Sequence, residues 1–362
     1  MDSHRFDVIV VGGGVAGLTA AAVAARHGQR VALVATGPSS FVLGNGCVKA
    51  GEFTQPSAAH EVSAAIGFFL EMAEAAGCPF AGDVSEQRLL PTILGDFETV
   101  ALAPRSLWNA EPCNSSSTAI VGIRELSCFD ERFMTARMTE QARKLGFWCD
   151  YAARQISLAH IFGCSVTTLR IAAKFDSDAA YRVELAGALR LAVPGFDRIL
   201  VPGILGLHSS GQQLAQFERE VGCSVCELPT LPPSVPGLRL FNRLMGHLNG
   251  IGVELFQGFP VQSLRIEDGC CSELQIASPG HPTILHGDCV VVAAGQHSVG
   301  LVGKGCAGLD EQMRPVSFDG SVMTRNVFIA DSGRHNGSAA EIFFGYRTGN
   351  LTAAQWGQYA AK

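Results

Sequence analysis

The sequence predicts a three-layer α/β protein with a parallel central sheet and an inserted second lobe of α+β type. The chain opens with a strand, a glycine-rich turn, a helix and a second strand between residues 6 and 35. A similarly clear succession of predicted helices and strands returns only after residue 237. At 362 residues the chain also exceeds what one small core requires. We therefore expect one domain from residues 1–80 and 237–362, with an inserted substrate-binding or partner-binding lobe at residues 81–236.

The first three elements form a βαβ unit. Phe6–Val11 is rich in β-branched residues, which is typical of a strand buried on both faces of a parallel sheet. Val15–His27 is an alanine-rich helix that Gly28 ends, and Arg30–Ala35 is a second buried strand. This unit explains the uncharged run Val8–Ala25 better than a membrane span, because adjacent glycines make a poor helix interior.

The turn between the first strand and its helix carries the spacing GxGxxG. In this motif the first glycine permits the tight turn, the second lets the backbone approach a diphosphate, and the third allows close packing of helix and strand. Free N–H groups and the positive end of the helix then stabilise the phosphate charge. The turn therefore predicts a Rossmann-type site for a dinucleotide diphosphate, formed by Gly12, Gly13, Gly14, Ala16 and Gly17.

The end of the second strand departs from this pattern. An acidic residue that hydrogen-bonds the ribose is expected about 20 residues after the turn, but the sequence there is Ala35-Thr36-Gly37. Uncharged hydroxyl groups are the remaining candidates for the ribose contact, namely Thr36, Ser39 and Ser40.

A glycine-rich loop follows, where flavoenzymes place a loop over the isoalloxazine ring. Gly44, Asn45 and Gly46 are its predicted cofactor contacts, and Cys47 comes next. Disulfide reductases carry a CxxxxC pair here, but Val42 occupies the position of the first cysteine, so dithiol chemistry is not expected. Cys47 is better interpreted as a core cysteine.

Hydrophobic periodicity predicts the later elements. Helices are expected at residues 58–76, 129–145, 212–221, 238–248 and 339–361, and strands at residues 198–202, 261–266 and 326–330.

Two of the later segments favour a flavin over a nicotinamide cofactor. Asp288–Gly295 resembles the strand-to-glycine segment of FAD-dependent oxidoreductases, and Asn326–Asp331 resembles their short strand ending in the aspartate that holds the ribityl chain. Ala330 stands where a glycine is common. The predicted cofactor is FAD, with FMN as the alternative, and the N-terminus of the closing helix is expected to face the flavin pyrimidine. Further predicted contacts are Val261, Ala294, Gly295 and Asp331.

Composition limits the partners. The net charge is −6 and Lys and Arg form no run, which argues against nucleic acid or anionic lipid as a direct partner. The 12 cysteines are scattered through a long chain, which indicates a reducing cytoplasm rather than a disulfide framework. The single CxxC, Cys223 to Cys226, lacks a second pair, so no metal site is expected.

A more specific resemblance runs in order along nearly the whole chain. Its most specific part is the rigid turn Leu228–Arg239, where prolines and a glycine stand at fixed offsets. Together with the opening βαβ unit, this turn makes the chain similar to the B subunit of anaerobic glycerol-3-phosphate dehydrogenase. The other segments that carry the resemblance are Leu90–Gly95, Val121–Ile123 and Ile199–Gly206.

The resemblance implies a flavoprotein, usually assigned FMN, that works with an FAD-bearing subunit and an iron–sulfur subunit to pass electrons toward membrane quinone. We expect a cytoplasmic oxidoreductase subunit that reaches the inner face of the membrane only through its partners. Two alternatives stay open: a stand-alone FAD-dependent dehydrogenase of a small hydroxy or amino acid, and a non-catalytic scaffold that retains the fold. No catalytic base is predicted. His208, His297 and His335 are possible proton carriers, and Arg239 and Arg334 are possible ligands of a phosphate or carboxylate.

Overall fold

The computed structural model describes residues 4–49, 59–114, 117–295, 298–302, 305–330 and 338–360. The strands in these ranges are β1 (His4–Val11), β2 (Val31–Ala35), β3 (Phe80–Gly82), β4 (Arg88–Pro91), β5 (Phe97–Val100), β6 (Leu102–Pro104), β7 (Ser117–Ile123), β8 (Asp150–Ile156), β9 (Arg198–Pro202), β10 (Ser224–Leu228), β11 (Glu254–Gln257), β12 (Val261–Glu267), β13 (Cys270–Ile276), β14 (Thr283–Val292), β15 (Cys306–Leu309), β16 (Pro315–Ser317) and β17 (Val327–Ile329). The helices are α1 (Val15–Arg26), α2 (Ala59–Ala75), α3 (Arg105–Trp108), α4 (Glu131–Lys144), α5 (Ala159–Phe162), α6 (Thr168–Ser177), α7 (Ala179–Ala192), α8 (Gly211–Val221), α9 (Val235–Gly250), α10 (Ser298–Val302) and α11 (Ser338–Ala360).

The chain divides into two compact units, each made of separate stretches of sequence. The first unit comprises Met1–Ser39, Gly51–Met72 and Leu244–Lys362. The second comprises Ser40–Ala50 and Ala73–Arg243. The first unit therefore combines both ends of the chain, and the second contains most of its middle.

The first unit is built on a mixed sheet of seven strands in the order β11-β2-β1-β14-β13-β12, with β17 also paired to β14. The five strands β11, β2, β1, β14 and β17 run parallel, whereas β12 and β13 add an antiparallel meander. Because β1 lies between β2 and β14, its C-terminal end at Val11 is level with Val34 on one side and Val292 on the other.

Both faces of this sheet are covered, as its sequence pattern requires. Val8, Ile9 and Val10 of β1 are fully buried, so side chains on both sides of the strand are inaccessible to water. The alanine-rich helix α1 packs against α11, and both helices contact strands of this sheet. Ile9 belongs instead to an apolar cluster that includes side chains of β13 and β17.

The second unit contains a fully parallel sheet of four strands, in the order β10-β9-β7-β8. Its core includes the fully buried aromatic side chains Phe175 and Phe217, which meet edge to face with ring centroids 5.1 Å apart. The α+β character expected of this lobe is found in two antiparallel ribbons, β3–β6 and β4–β5, whereas its main sheet is parallel.

The described helices include none that is both long enough and apolar enough to cross a bilayer. Helix α1 contains most of the uncharged N-terminal run but has only 12 residues. At 1.5 Å per residue it measures about 18 Å, against the roughly 30 Å of a bilayer core.

Candidate functional site

The glycine-rich turn lies at the edge where the parallel strands β1, β2 and β14 end. The Gly12 N–H donates to the Val34 carbonyl at 2.8 Å, and the Ala293 N–H donates to the Val11 carbonyl at 2.7 Å. Gly12 has φ +124°, and a methyl group there would lie 2.1 Å from the Ala293 carbonyl oxygen. Only glycine satisfies both conditions.

The other two motif glycines differ in what surrounds them. A methyl group on Gly17 would lie 2.0 Å from the Gly12 carbonyl oxygen, so Gly17 brings α1 directly onto the turn. Gly14 is the N-cap of α1 with φ −78° and ψ 177°, and no protein atom lies within 4 Å of a methyl group placed there. Space is therefore open in front of the helix where a ligand would approach.

The N-terminus of α1 has the features of an anion site. The first N–H groups of a helix lack intrahelical partners, and here no side chain caps them and no acidic residue stands in the first turn. Ala16 and Gly17 are the second and third residues of the helix. Uncapped N–H groups and an open approach beside Gly14 fit the diphosphate of a dinucleotide. Gly13, the predicted contact between Gly12 and Gly14, is buried within the turn.

The end of β2 presents hydroxyl groups but no carboxylate. Thr36 is exposed immediately after β2, and Ser39 begins a short 3₁₀ helix, Ser39–Val42, in which Ser40 is exposed. The sheet register places Gln257, the exposed last residue of β11, directly beside Ala35. Gln257 is a polar neighbour of the predicted ribose site that sequence reasoning missed, because only the strand order reveals it.

The segment after β14 meets the same edge. Ala294 donates its N–H to the Ser298 hydroxyl at 3.0 Å, and Gly295 has φ +58°. A methyl group on Gly12 would lie 3.3 Å from the Ala294 nitrogen, so the structure brings these two predicted contacts together. Val261 instead opens β12, the edge strand that β13 and β14 separate from β1.

The short strand before the predicted flavin aspartate also ends at this edge. β17 pairs in parallel with β14, and the Ala330 N–H donates to the Val292 carbonyl at 2.9 Å. Asp331 itself lies outside the described residues, as do His297, Arg334 and His335.

The loop predicted to cover the flavin belongs to the second unit. Asn45 accepts a hydrogen bond from the Cys47 N–H at 3.0 Å. Gly44 packs so closely on Gly237 that a methyl group on Gly237 would lie 2.1 Å from its carbonyl oxygen, and Gly46 has φ +83°. Burial raises the pKa of the Cys47 thiol, as does the nearby Glu98 carboxylate despite Lys49, so the thiol stays protonated and is a poor redox group.

The sequence suggested Arg239 as a ligand of a phosphate or carboxylate. In the structure it forms an ion pair with a buried carboxylate of the chain itself. Its guanidinium is bidentate to Glu227 at 2.7 and 2.8 Å and also donates to the Gly206 carbonyl. Both side chains are almost inaccessible, at 3% and 0%. Burial alone would raise the pKa of Glu227, but the Arg239 charge and hydrogen bonds hold it below its usual value. The pair is therefore structural. His208, two residues after Gly206, is exposed.

The second unit also contains a cavity of about 1100 Å³. Its lining combines the cations Arg105, Arg239 and Arg243 with the anions Glu74 and Glu218. Because Glu227 already neutralises Arg239, the remaining charges balance. The cavity is suited to a polar ligand or partner segment of mixed charge rather than to a simple anion.

The comparisons with known proteins agree with this geometry. Residues 7–52 match the family described as FAD binding domain. The match begins in β1 and extends past the glycine-rich turn and the end of β2. The fold and the turn, taken with this match, define the chain as a flavin-dependent oxidoreductase of α/β class that binds FAD.

Curated relatives carry the same name as the predicted family, the B subunit of anaerobic glycerol-3-phosphate dehydrogenase. The Glaesserella parasuis protein is 22% identical over 73% of this chain and 69% of its own. The Pectobacterium atrosepticum protein is 26% identical, covering 70% and 66%. The Pasteurella multocida protein is 22% identical, covering 83% and 77%. These matches confirm the resemblance predicted from the sequence.

Solved structures give weaker likenesses. L-proline dehydrogenase from P. horikoshii aligns with 83% of this chain and 55% of its own at 12% identity, with a TM-score of 0.36. L-amino acid deaminase from Proteus myxofaciens aligns with 91% and 57% at 15% identity, also with a TM-score of 0.36. The chain thus spans little more than half of either structure, and neither likeness bears on its substrate.

Proposed function

We propose that this chain is the flavin-carrying electron-relay subunit of a dehydrogenase complex resembling anaerobic glycerol-3-phosphate dehydrogenase. The observation that carries the proposal is the similarity to the B subunits of that enzyme, which covers 73% of this chain in one relative and 83% in another. Its partners are a second flavoprotein and an iron–sulfur protein.

In this proposal the chain's own residues bind and orient the cofactor. The turn from Gly12 to Gly17 holds the diphosphate through backbone N–H groups, and Thr36 with Gln257 faces the ribose. Ala294 and Gly295 close the same edge of the sheet, next to Gly12. When bound, the flavin supplies the capacity to accept and release electrons. The protein contributes position, electrostatics and protection from water.

The second unit is proposed as the substrate-binding or partner-binding lobe. Its cavity carries both signs of charge, and Arg105 and Arg243 have no carboxylate within ion-pair distance among the described residues. A complementary segment of a partner protein fits such a lining better than a single small anion does.

The flavin absorbance under anaerobic conditions distinguishes the proposed electron relay from its two alternatives. We expect flavin in the isolated chain to stay oxidised with glycerol 3-phosphate, and to be bleached once the reduced partner flavoprotein is added. Bleaching by a small hydroxy or amino acid alone would instead show a stand-alone dehydrogenase. A protein that takes up neither FAD nor FMN would show the scaffold.

Affinity purification of the tagged chain from its native source tests the assembly. A second flavoprotein and an iron–sulfur protein should copurify in fixed proportion. Recovery of the chain by itself, under conditions where it still carries flavin, contradicts the complex but leaves the flavin assignment intact.

A further inference from the structure

Helices α1 and α11 meet along glycine and alanine residues. A methyl group on Gly345 of α11 would lie 2.3 Å from the Ala16 carbonyl oxygen and 2.9 Å from the Ala16 Cα. Four residues later, a methyl group on Gly349 would lie 2.7 Å from the Val23 Cβ and 2.9 Å from the Ala20 carbonyl oxygen. At both positions the neighbouring atoms include backbone, which cannot swing aside as a flexible side chain would.

The two glycines differ in what they touch. Ala16 is the second residue of α1, so its peptide belongs to the turn that presents uncapped N–H groups. Val23 lies seven residues further along α1, about 10 Å from Ala16 at 1.5 Å per residue. A side chain at position 345 would therefore displace the phosphate-binding turn, whereas one at position 349 would displace only the middle of the helix.

We propose that Gly345 is a positioning residue for the cofactor. Its missing side chain lets α11 rest directly on the Ala16 peptide, which fixes the N-terminal N–H groups of α1 where they meet the diphosphate. The inference rests on the proposed flavin function and extends it, since it assigns a role in cofactor affinity to a helix at the far end of the chain.

The matched pair Gly345→Ala and Gly349→Ala tests this. The readouts are the free energy of unfolding of the flavin-free protein in urea and the FAD dissociation constant from quenching of flavin fluorescence. Both variants should lose stability to a similar extent, but only Gly345→Ala should bind FAD at least tenfold more weakly. Equal changes in FAD affinity in the two variants, or no change in either, would overturn the proposal.

A second measurement does not depend on a variant that folds. By thermodynamic reciprocity, a contact that supports FAD binding must itself be stabilised by FAD. Adding FAD to the flavin-free wild-type chain should slow amide exchange around Ile342–Gly345 as well as in the turn. Unchanged exchange in α11 contradicts the inference alone, while a wild-type chain that binds no flavin contradicts the proposed function and this inference with it.

Discussion

At the residue scale, the glycine-rich turn places its three glycines in three different environments. Gly12 is required by its positive φ and by the Ala293 carbonyl, and Gly17 by contact with the turn backbone. Gly14 faces open space instead. The motif spacing predicted the tight turn at Gly12 and the close packing at Gly17, because both depend on backbone geometry within a few residues. The approach of a diphosphate at Gly14 stays a prediction.

Gly14 offers the cleanest test of direct cofactor contact. Gly14→Ala should lower the stability of the flavin-free protein by no more than about 1 kcal/mol, the cost of alanine at an N-cap, because its φ of −78° suits alanine and its methyl group meets open space. FAD affinity should fall about tenfold or more, equivalent to about 1.4 kcal/mol, since the methyl group occupies the approach of the diphosphate. Isothermal titration with FAD measures the effect.

The matched control for this change is Gly67→Ala. Gly67 is exposed within α2 and a methyl group there also meets no atom within 4 Å. That variant should gain up to about 1 kcal/mol from helix propensity and keep its FAD affinity. Unaltered FAD binding in Gly14→Ala would place the diphosphate elsewhere.

The buried ion pair gives a second prediction at this scale. Glu227→Ala leaves the Arg239 cation buried without a counter-charge, which should cost about 3–5 kcal/mol in the free energy of unfolding. Removing the exposed partner Glu140 of Lys144 should cost less than about 1 kcal/mol. Urea denaturation compares the free energy of unfolding of the two variants. Similar losses would show that burial does not determine how much the Glu227–Arg239 pair contributes to stability.

The same pair predicts a pH dependence. The pKa of Glu227 is lower in the folded chain than its usual value of about 4.3. Its stabilising contribution is therefore complete above that value and is lost as the pH falls through the lower folded pKa. The stability difference between wild type and Glu227→Gln should shrink from pH 7 toward acid. A difference that grows on acidification would contradict the assignment.

At the scale of elements, periodicity located several helices and strands, but it missed α6 and α7 and did not give the pairing of the strands. The helix expected at residues 212–221 is α8, Gly211–Val221, and the closing helix expected at 339–361 is α11, Ser338–Ala360. The neighbours of each strand depend on contacts distant in sequence. Gln257 shows the consequence, since its place beside Ala35 follows only from the pairing of β11 with β2.

Asn326 connects neighbouring strands through its side chain, whereas the sequence predicted only that this residue begins a strand. Its amide oxygen accepts from the Cys271 N–H, and its nitrogen donates to the Cys271 and Asp288 carbonyls, all at 2.8–2.9 Å. One buried side chain thus joins β13 and β14 to the residue that precedes β17. No local sequence pattern predicts these hydrogen bonds, because both partners lie at least 38 residues away.

Asn326→Asp should destabilise the first unit by about 3 kcal/mol, because a carboxylate cannot donate to two buried carbonyl oxygens. The control is Asn249→Asp at an exposed site, where a change within about 0.5 kcal/mol is expected. Thermal unfolding followed by circular dichroism measures both. Equal and small shifts would mean that the three bonds of Asn326 contribute little.

At the scale of the molecule, the sequence predicted one domain formed by both ends of the chain, with a lobe inserted between them. The prediction depended on the clear pattern of helices and strands before residue 80 and after residue 237. The structure assigns residues 40–50, 73–80 and 237–243 to the second unit, whereas the sequence grouped them with the first. For residues 40–50 the cause lies in distant backbone contacts. The reason is a long-range pairing, in which Val48 exchanges backbone hydrogen bonds with Leu102 and its neighbour.

The central claim is that the turn from Gly12 to Gly17 binds FAD, and its most direct test is the flavin content of the purified chain. The protein is denatured, the released cofactor is identified by chromatography, and its amount is compared with the protein concentration. The account predicts one FAD per chain in wild type and a clearly reduced content in Gly14→Ala. A wild-type chain that is colourless and takes up neither added FAD nor FMN would contradict it.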